Sequence, residues 1–524
     1  MENVIHKTAK YVFGFFTALI LFLCLFFEGQ DYFAKKDFLW SNLGILLFLS
    51  VVFLIVLVAY IFYLKKGVNL KLKVKLPPTD YIIALFSIIL FVVQCVICYN
   101  IFFLAGWDPY YIRTSASHIV ESNPKLSIYD IYYSMYPNNK ALVLLAATLL
   151  KLNNALGIFT GEYETFVFVV LNCLINSFTC YLSYKALKLF VSSRYAALGF
   201  LLCVLVFGLS PWSVVFYSDS VSLFIPVLCL YLYKKPAANK ILRRICRLSA
   251  IAIGIAGFFI KPQCLILIIS IFIVETVSLF KNINLEKLKR YACLLLCAVL
   301  CFAVFSGIIN SGAKKSGIEI DSGKKMGACH FVMMGLNSQT NGAYIEEDVT
   351  FSKQFDTTEQ RRVANLNQIK QRLKEMGLKG YFEHISKKML TTFNDGTFAW
   401  NEEGTFYFVE VQTPDTNLSY FLKSFYHING YRHAGFLLIS QIIWILTLIL
   451  SFFSCFRNFQ KAQKNTMSVL WICILGLVLF EILFEARARY LYIYAPVFCI
   501  TAIIGLKNIC QRLKNILKRE NEDL

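Results

Sequence analysis

Charged side chains are scarce in this chain. Asp, Glu, Lys and Arg supply 16% of its 524 residues, against roughly 25% in a soluble domain. The 57% of hydrophobic residues are not spread at helical or strand spacing. They form unbroken runs, such as 11–27, 43–64, 81–104 and 435–453, each near the roughly 20 residues that cross a bilayer core. A soluble globule is thereby excluded. Histidine is rare too, with six in all and no ligand spacing, so no metal centre is expected. The hydrophilic stretch 310–433 contains one cysteine, Cys329, which excludes a disulfide within it. Most of the 17 cysteines, including Cys173, Cys203, Cys297 and Cys499, lie inside apolar runs and act there as small apolar residues. No phosphate-cradling glycine loop and no internal repeat is found. The first run lacks a small-residue cleavage site and reads as a signal anchor.

What is abundant is positive charge, with a net +20. It sits in short loops between apolar runs, where orientation signals belong, and not in a patch that would predict nucleic acid. About 12 spans are predicted, near 11–28, 41–64, 80–104, 164–184, 194–212, 220–233, 248–260, 263–280, 291–309, 434–455, 467–484 and 490–506. Basic loops then fall on alternate sides: Lys65, Lys66, Lys71, Lys73 and Lys75; Lys185, Lys188 and Arg194; Lys234, Lys235, Arg243, Arg244 and Arg247; Lys281, Lys287, Lys289 and Arg290; Arg457, Lys461 and Lys464; and the tail 507–524. Placing all of them in the cytoplasm satisfies the positive-inside rule with both termini inside. The segments 105–163 and 310–433 are then extracytoplasmic. The expected architecture is an all-α multi-pass membrane protein. It has an N-terminal hairpin (1–79), a transmembrane core (80–309) carrying the first external loop, a mainly helical external domain (310–433) and C-terminal helices (434–506).

Within 310–433 the reading is helical. Asp356-Thr357-Thr358-Glu359 resembles a capping box. Val363, Leu366, Ile369, Leu373 and Met376 follow at three-to-four spacing, and Gly377 suits a helix end. A second helix is expected over 380–392. The aromatic and polar stretches 330–337 and 394–400 flank them and, if exposed, suit sugar binding.

Polar residues at the external ends of spans carry the functional expectations. Asp108, in Gly106-Trp107-Asp108-Pro109, stands where the third span meets the surface. A shielded carboxylate there suits a general base; an Asp-Pro pair is equally an N-cap with proline at the first helical position. Residues 139–156 form a shorter apolar helix expected to lie along the outer surface. Lys140, at its start, sits at headgroup depth, or simply snorkels there. Asp219 lies in a tight turn and reads as a site acid or a helix cap. Lys261-Pro262 breaks a very apolar stretch, and an ionisable group in such a place is a functional candidate or a turn lysine reaching headgroups. Arg487 and Arg489 run against the basic-inside pattern. A phosphate would hold them there, as would pairing with Glu481 or Glu485.

In order and placement these residues resemble the GT-C superfamily of membrane glycosyltransferases, in particular protein O-mannosyltransferases and lipid A aminoarabinose transferases. The resemblance covers about residues 80–506. It rests on Asp108 at the start of the first core loop with Arg113 five residues on, and on Tyr136-Pro137-Asn138-Asn139-Lys140 opening the surface helix. Asp219, Lys261-Pro262, and Arg487, Arg489 and Tyr490 before the last span complete it. The stretches 330–337 and 394–400 resemble a bacterial cell-envelope subgroup. Many relatives carry Asp-Glu at the first acidic position, whereas Pro109 follows Asp108 here, leaving one carboxylate and no support for a metal.

The resemblance implies an inverting transfer of one sugar from a polyprenyl-phosphate carrier to an extracytoplasmic glycan or protein acceptor. Asp108 and Asp219 would be the catalytic acids. Arg113, Tyr136, Asn139, Lys140, Lys261, Arg487, Arg489 and Tyr490 would bind substrate, and no cofactor is expected. Two alternatives are a polymerase or ligase using lipid-diphosphate oligosaccharides and a lipid-linked sugar flippase or transporter.

Overall fold

The computed structural model describes residues 2–27, 42–65, 78–122, 129–281, 283–404, 409–457 and 459–522. The described residues are mainly helical, with an antiparallel two-residue ladder that pairs Phe103 with Glu410 and Leu104 with Val409. The loop carrying Lys66, Lys71, Lys73 and Lys75, and the 28–41 connection, lie outside the described residues.

Among the described residues, eight helices are long and apolar enough to cross a membrane: Val4–Phe26, Thr79–Asn100, Gly161–Leu187, Pro262–Phe280, Leu285–Lys315, His433–Phe456, Gln463–Leu483 and Ala488–Ile516. The helix Asn42–Lys65 runs 24 residues, and Ser193–Gly208 is apolar but shorter. The expected dozen is therefore not met by length and composition among the described residues. The reason lies in the segments themselves. The run expected over 194–212 leaves α-helical geometry at Cys203, passes through a wide turn over Val204–Gly208 and ends in a 3-10 turn at Pro211–Val214. The run expected over 220–233 is split into Ser218–Ser222 and Ile225–Lys234, with Pro226 opening the second piece. The run expected over 248–260 belongs to Lys240–Phe258, whose first turns carry Lys240, Arg243, Arg244 and Arg247. Polar residues and prolines that end helices early interrupt these runs.

The helix ends sort into two sets. At one end Lys188 pairs with Asp80 at 2.8 Å, His6 meets Ser468 at 3.1 Å, and Arg290 pairs with Glu275 at 2.6 Å. Arg457 donates there to the Phe190 carbonyl. Lys188, Arg290 and Arg457, from three of the basic loops, lie at this end. The other end holds Asp108, Asp219, Lys261, Arg487 and Arg489. Helix packing in between relies on small residues, as membrane bundles do. A Cβ at Gly505 would collide with the Leu450 carbonyl, so the His433–Phe453 and Ala495–Glu522 helices touch backbone to backbone. Ser451 and Thr501 bond across the same contact at 2.7 Å.

The 17-residue helix Lys140–Leu156 forms as expected. It buries Leu142, Val143, Ala146, Ala147 and Leu150 and packs against Trp107–Glu121.

The 310–433 segment folds over the site end. Its long helix runs Thr358–Phe393 with a break at Gly377, φ 57°, so two helices meet at a glycine that tolerates the left-handed backbone. The capping box sits one residue later than expected, between Thr357 and Gln360. The expected apolar stripe is not the buried face, since Val363 and Leu373 are exposed. The inward face is polar because it serves backbone groups. Arg361 donates to the carbonyls of Ser352, Gly323, Lys325 and Phe355, and Arg372 pairs with Asp348. The stretches 330–337 and 394–400 are also not sugar-facing platforms. His330, Asn337, Asn394, Asp395, Phe398 and Trp400 are all buried. His330 bonds Ser352, Asn394 accepts from Gln441, and Trp400 packs edge-on to Trp212. Burial of these aromatics locks the segment to the bundle instead of offering it to solvent.

Candidate functional site

Asp108 owes its position to a strained start of helix Trp107–Glu121. Trp107 has φ 39°, a region non-glycine residues occupy at a cost and keep mainly where the surroundings demand it. The N-cap is Gly106, without a side-chain cap bond. Asp108 is therefore not a capping residue. Its two oxygens are spent elsewhere: Oδ1 accepts from the Tyr132 hydroxyl at 2.8 Å and Oδ2 from the Tyr217 hydroxyl at 2.7 Å. Tyr132 in turn accepts from Asn139 Nδ2 at 2.6 Å and stacks on Tyr111, 4.3 Å between centroids and 5° from parallel. Burial first, then the Asp108 charge, pushes both phenol pKa values well above the ordinary range. Both hydroxyls accordingly stay protonated and keep donating to Asp108.

Asp219 is buried to 1% exposure. It does not cap its helix either; the N-cap is Tyr217, which makes no side-chain cap bond. Asp219 Oδ1 lies 2.7 Å from Lys261 Nζ, and Oδ2 lies 3.7 Å from Arg489 Nε. Lys261 reaches this point because it is extended, φ −146°, ahead of the 3-10 turn Pro262–Cys264. Proline holds its predecessor out of the helical region, and the break directs the ammonium toward Asp219. It also lies 4.8 Å from the Tyr490 ring centroid.

Arg489 links the two acids. Its guanidinium carbon sits 4.3 Å from the Trp107 ring centroid and 5.2 Å from that of Tyr217. Glu403 Oε2 is 3.3 Å from its Nε. Arg487, two residues earlier, pairs with Glu403 Oε1 at 2.8 Å and Glu485 Oε1 at 3.0 Å. Tyr490 donates to Glu485 at 3.1 Å. Buried charges survive only when paired, and here each cation has a carboxylate. Hydrogen bonding is nonetheless incomplete. Arg489 Nε and Nη1, Trp107 Nε1 and both Asp219 oxygens are buried without a hydrogen-bond partner among the described residues. Donors left open in this way mark a place for an acceptor the protein does not supply.

The arginine segment is held from behind by Lys388. Its buried ammonium donates to the carbonyls of Gly335, Ile482 and Phe484 at 2.8, 3.0 and 2.7 Å. That places a cation on the C-terminal carbonyls of helix Lys461–Leu483, where the helix dipole favours it. Burial lowers the Lys388 pKa to about 8, against the raising effect of Glu481 and Glu485. Gly335 lies so close that a Cβ there would sit 2.5 Å from the Phe484 carbonyl oxygen.

Of the residues expected from sequence, the fold brings Asp108, Asp219, Lys261, Arg487, Arg489, Tyr490 and Asn139 into one network, Asn139 through Tyr132. Tyr136 borders it, 5.5 Å from Tyr132 between centroids, and packs on the small cluster of Met326, Met334 and Val349. Two others lie apart from this network. Arg113 turns back to the Ala105 carbonyl at 3.2 Å, and Lys140 bonds Asn310 at 2.6 Å. Each is engaged with its own surroundings and not with either site acid. Pairing of Arg487 with Glu485 is realised. Glu403, Tyr132, Tyr217 and Trp107 were not singled out from sequence. The acid pair Glu402-Glu403, directly after an aromatic stretch, was the available signal for the first. Among the described residues no group of three or more His, Cys, Asp or Glu is placed to hold a metal ion.

Fold and site together define a multi-pass membrane protein with a buried, charge-paired site at one end of its helices. The chain belongs to a family of conserved hypothetical integral membrane proteins, whose model matches residues 1–509. No curated protein matches it in sequence. Among solved structures it is similar to the oligosaccharyltransferase of Archaeoglobus fulgidus in the apo form, at 15% identity and TM-score 0.40, covering 83% of this chain and 52% of that one. The oligosaccharyltransferase AglB from Archaeoglobus fulgidus, in complex with an inhibitory peptide and a dolichol-phosphate, aligns with 15% identity and TM-score 0.37 over 83% of this chain and 52% of that one. ArnT from Cupriavidus metallidurans in the apo state aligns with 13% identity and TM-score 0.31 over 80% and 78%. The chain thus spans about half the length of the oligosaccharyltransferase. Scores of this size leave the functional argument with the site itself.

Proposed function

We propose that this protein is a GT-C-type glycosyltransferase that moves a single sugar from a polyprenyl-phosphate carrier to a hydroxyl of an extracytoplasmic glycan or protein. The observation that carries the reading is the Arg489 guanidinium. It is buried, has open donors, and lies between the residue preceding Asp108 and the Asp219–Lys261 pair. An anion-binding group beside a carboxylate base, at a helix end, suits a lipid phosphate that approaches along the membrane.

In this mechanism the acceptor hydroxyl takes the place of one tyrosine hydroxyl on Asp108. Its oxygen attacks the anomeric carbon as its proton passes to Asp108. The bond from the anomeric carbon to the phosphate oxygen breaks, and the configuration inverts. The leaving phosphate keeps the bonding pair, and its growing charge is met by Arg489 and Lys261. Asp219 is a positioning residue that holds those two cations. Tyr132 and Tyr217 fix the Asp108 carboxylate, with Asn139 behind Tyr132. Arg113 and Lys140 have no part in this step.

The membrane side follows from donor supply and loop charge. Nucleotide sugars are cytoplasmic, and Lys188, Arg290 and Arg457, from three of the basic loops, lie at the end opposite the site, so the site faces outward under the positive-inside rule.

The test is transfer by the purified protein in proteoliposomes. Polyprenyl-monophosphate sugars are offered in parallel with polyprenyl-diphosphate oligosaccharides, and envelope glycan serves as acceptor. Sugar transfer with release of polyprenyl monophosphate is expected, abolished by Asp108→Asn. Turnover of the diphosphate donors alone establishes the polymerase or ligase reading, and lipid translocation without transfer establishes the flippase.

A further inference from the structure

The ion-paired charges of the site balance, with Asp108 bonded apart from them to two tyrosine hydroxyls. Lys261, Arg487 and Arg489 face Asp219, Glu403 and Glu485, three cations against three carboxylates within ion-pair distance. Every one of these side chains is at most 12% exposed. A neutral buried cluster resists any added charge, because taking an unpaired ion out of water costs several kcal/mol. An anionic headgroup therefore enters by exchange for a carboxylate already present.

The three carboxylates are not equally exchangeable. Asp219 is held by Lys261 at 2.7 Å and is the most deeply buried, its side chain 2% exposed. Glu485 lies two residues from Arg487 on the same strand of chain and also accepts from Tyr490. Glu403 reaches in from the turn Trp400–Gly404 and is the one of the three that bridges Arg487 and Arg489. It places Oε1 on Arg487 and Oε2 on Arg489, at 2.8 and 3.3 Å. One carboxylate bridging two guanidinium groups imitates the two non-ester oxygens of a phosphodiester. The hydrogen bonds it leaves open on Arg489, at Nε and Nη1, are those a tetrahedral phosphate fills better than a planar carboxylate.

We propose that Glu403 is the resident counter-anion of Arg487 and Arg489, and that the donor's phosphate displaces it. The inference rests on the reading of the site given above and narrows it. With Glu403 withdrawn, Lys261, Arg487 and Arg489 carry one charge more than their remaining ion-pair partners, Asp219 and Glu485; Asp108, held by two tyrosine hydroxyls, stands outside these pairs. That excess matches the single negative charge of a sugar phosphodiester, whereas a diphosphate diester brings two. Glu403 thus sets the charge the site accepts.

Two sugar-free probes test this with the full-length protein in nanodiscs: a polyprenyl methyl phosphate, with one charge, and a polyprenyl methyl diphosphate, with two. Binding is read by native mass spectrometry. The wild-type protein is expected to prefer the singly charged probe. Glu403→Gln is expected to bind it about tenfold more tightly, the size of effect one removed neighbouring charge produces. The doubly charged probe is expected to gain more, so the preference shrinks. Glu403→Asp, whose shorter carboxylate cannot span both arginines, should show the same trend to a smaller degree and serves if the glutamine variant does not fold. Equal or weaker binding of both probes by the variants overturns the role of Glu403 while leaving the phosphate site intact. Binding of neither probe by any of the proteins, wild type included, sinks the phosphate reading itself and the inference with it.

Discussion

Arg489 rests on the indole of Trp107, 4.3 Å from its centroid, and Trp107 is covalently next to Asp108. The cation at one edge of the site is thereby fixed relative to the carboxylate at the other, although 381 positions separate Asp108 from Arg489 in the sequence. Tyr217 makes the same link a second way, since its hydroxyl donates to Asp108 and its ring faces Arg489.

Asp108→Asn keeps the size of the side chain and removes the base. Transfer is expected to fall roughly 10²–10⁴-fold in kcat, with the melting temperature close to wild type because the amide oxygen still accepts from one tyrosine hydroxyl and the amide nitrogen can donate to the other. Steady-state kinetics with matched melting curves checks this; full activity in the variant would refute the role.

Asp219→Asn strips the buried counter-charge from Lys261 and Arg489. Breaking such a pair costs about 3–5 kcal/mol, so marked loss of thermal stability in detergent is expected. Adding Lys261→Met to Asp219→Asn should restore much of that stability without restoring transfer. A double-mutant cycle on melting curves decides it; additive losses would mean the two residues are not coupled.

The lysine that braces the arginine segment should make stability depend on pH. The Lys388 pKa is lowered from 10.5 to about 8, chiefly by burial. Between those values the unfolded chain binds more protons than the folded one, so stability rises with pH. Its burial penalty is full below about pH 8 and gone above about pH 10.5. Melting temperatures from pH 7.5 to 10 should therefore show an upward component in wild type that is missing in Lys388→Met. Parallel curves for the two proteins would remove Lys388 as the source.

Cysteines introduced at Lys324 and Asp356, on the segment over the site, should react with a membrane-impermeant maleimide on intact cells. One placed at Lys188 should react only after lysis. The reverse pattern would turn the site toward the cytosol and withdraw the lipid-linked donor from consideration.

Much of this molecule was decided by local sequence. Runs of apolar residues near the bilayer thickness fix helix number and order within a few elements, because backbone in hydrocarbon must satisfy its own hydrogen bonds. Basic loops fix which ends gather together. Asp108, Asp219, Lys261 and Arg489, which the fold brings together, stand out in the sequence as ionisable residues at apolar boundaries. The sequence could not decide which charge meets which. Glu403 and Arg489 are 86 positions apart, and Lys140 bonds Asn310, 170 positions further along. Burial of Phe398 and Trp400, the broken helices around Pro211 and Pro226, and the tyrosine pair on Asp108 depend on contacts between distant segments. Those contacts are set by packing in three dimensions, where a side chain's neighbours come from several helices at once and no spacing along one of them records the others.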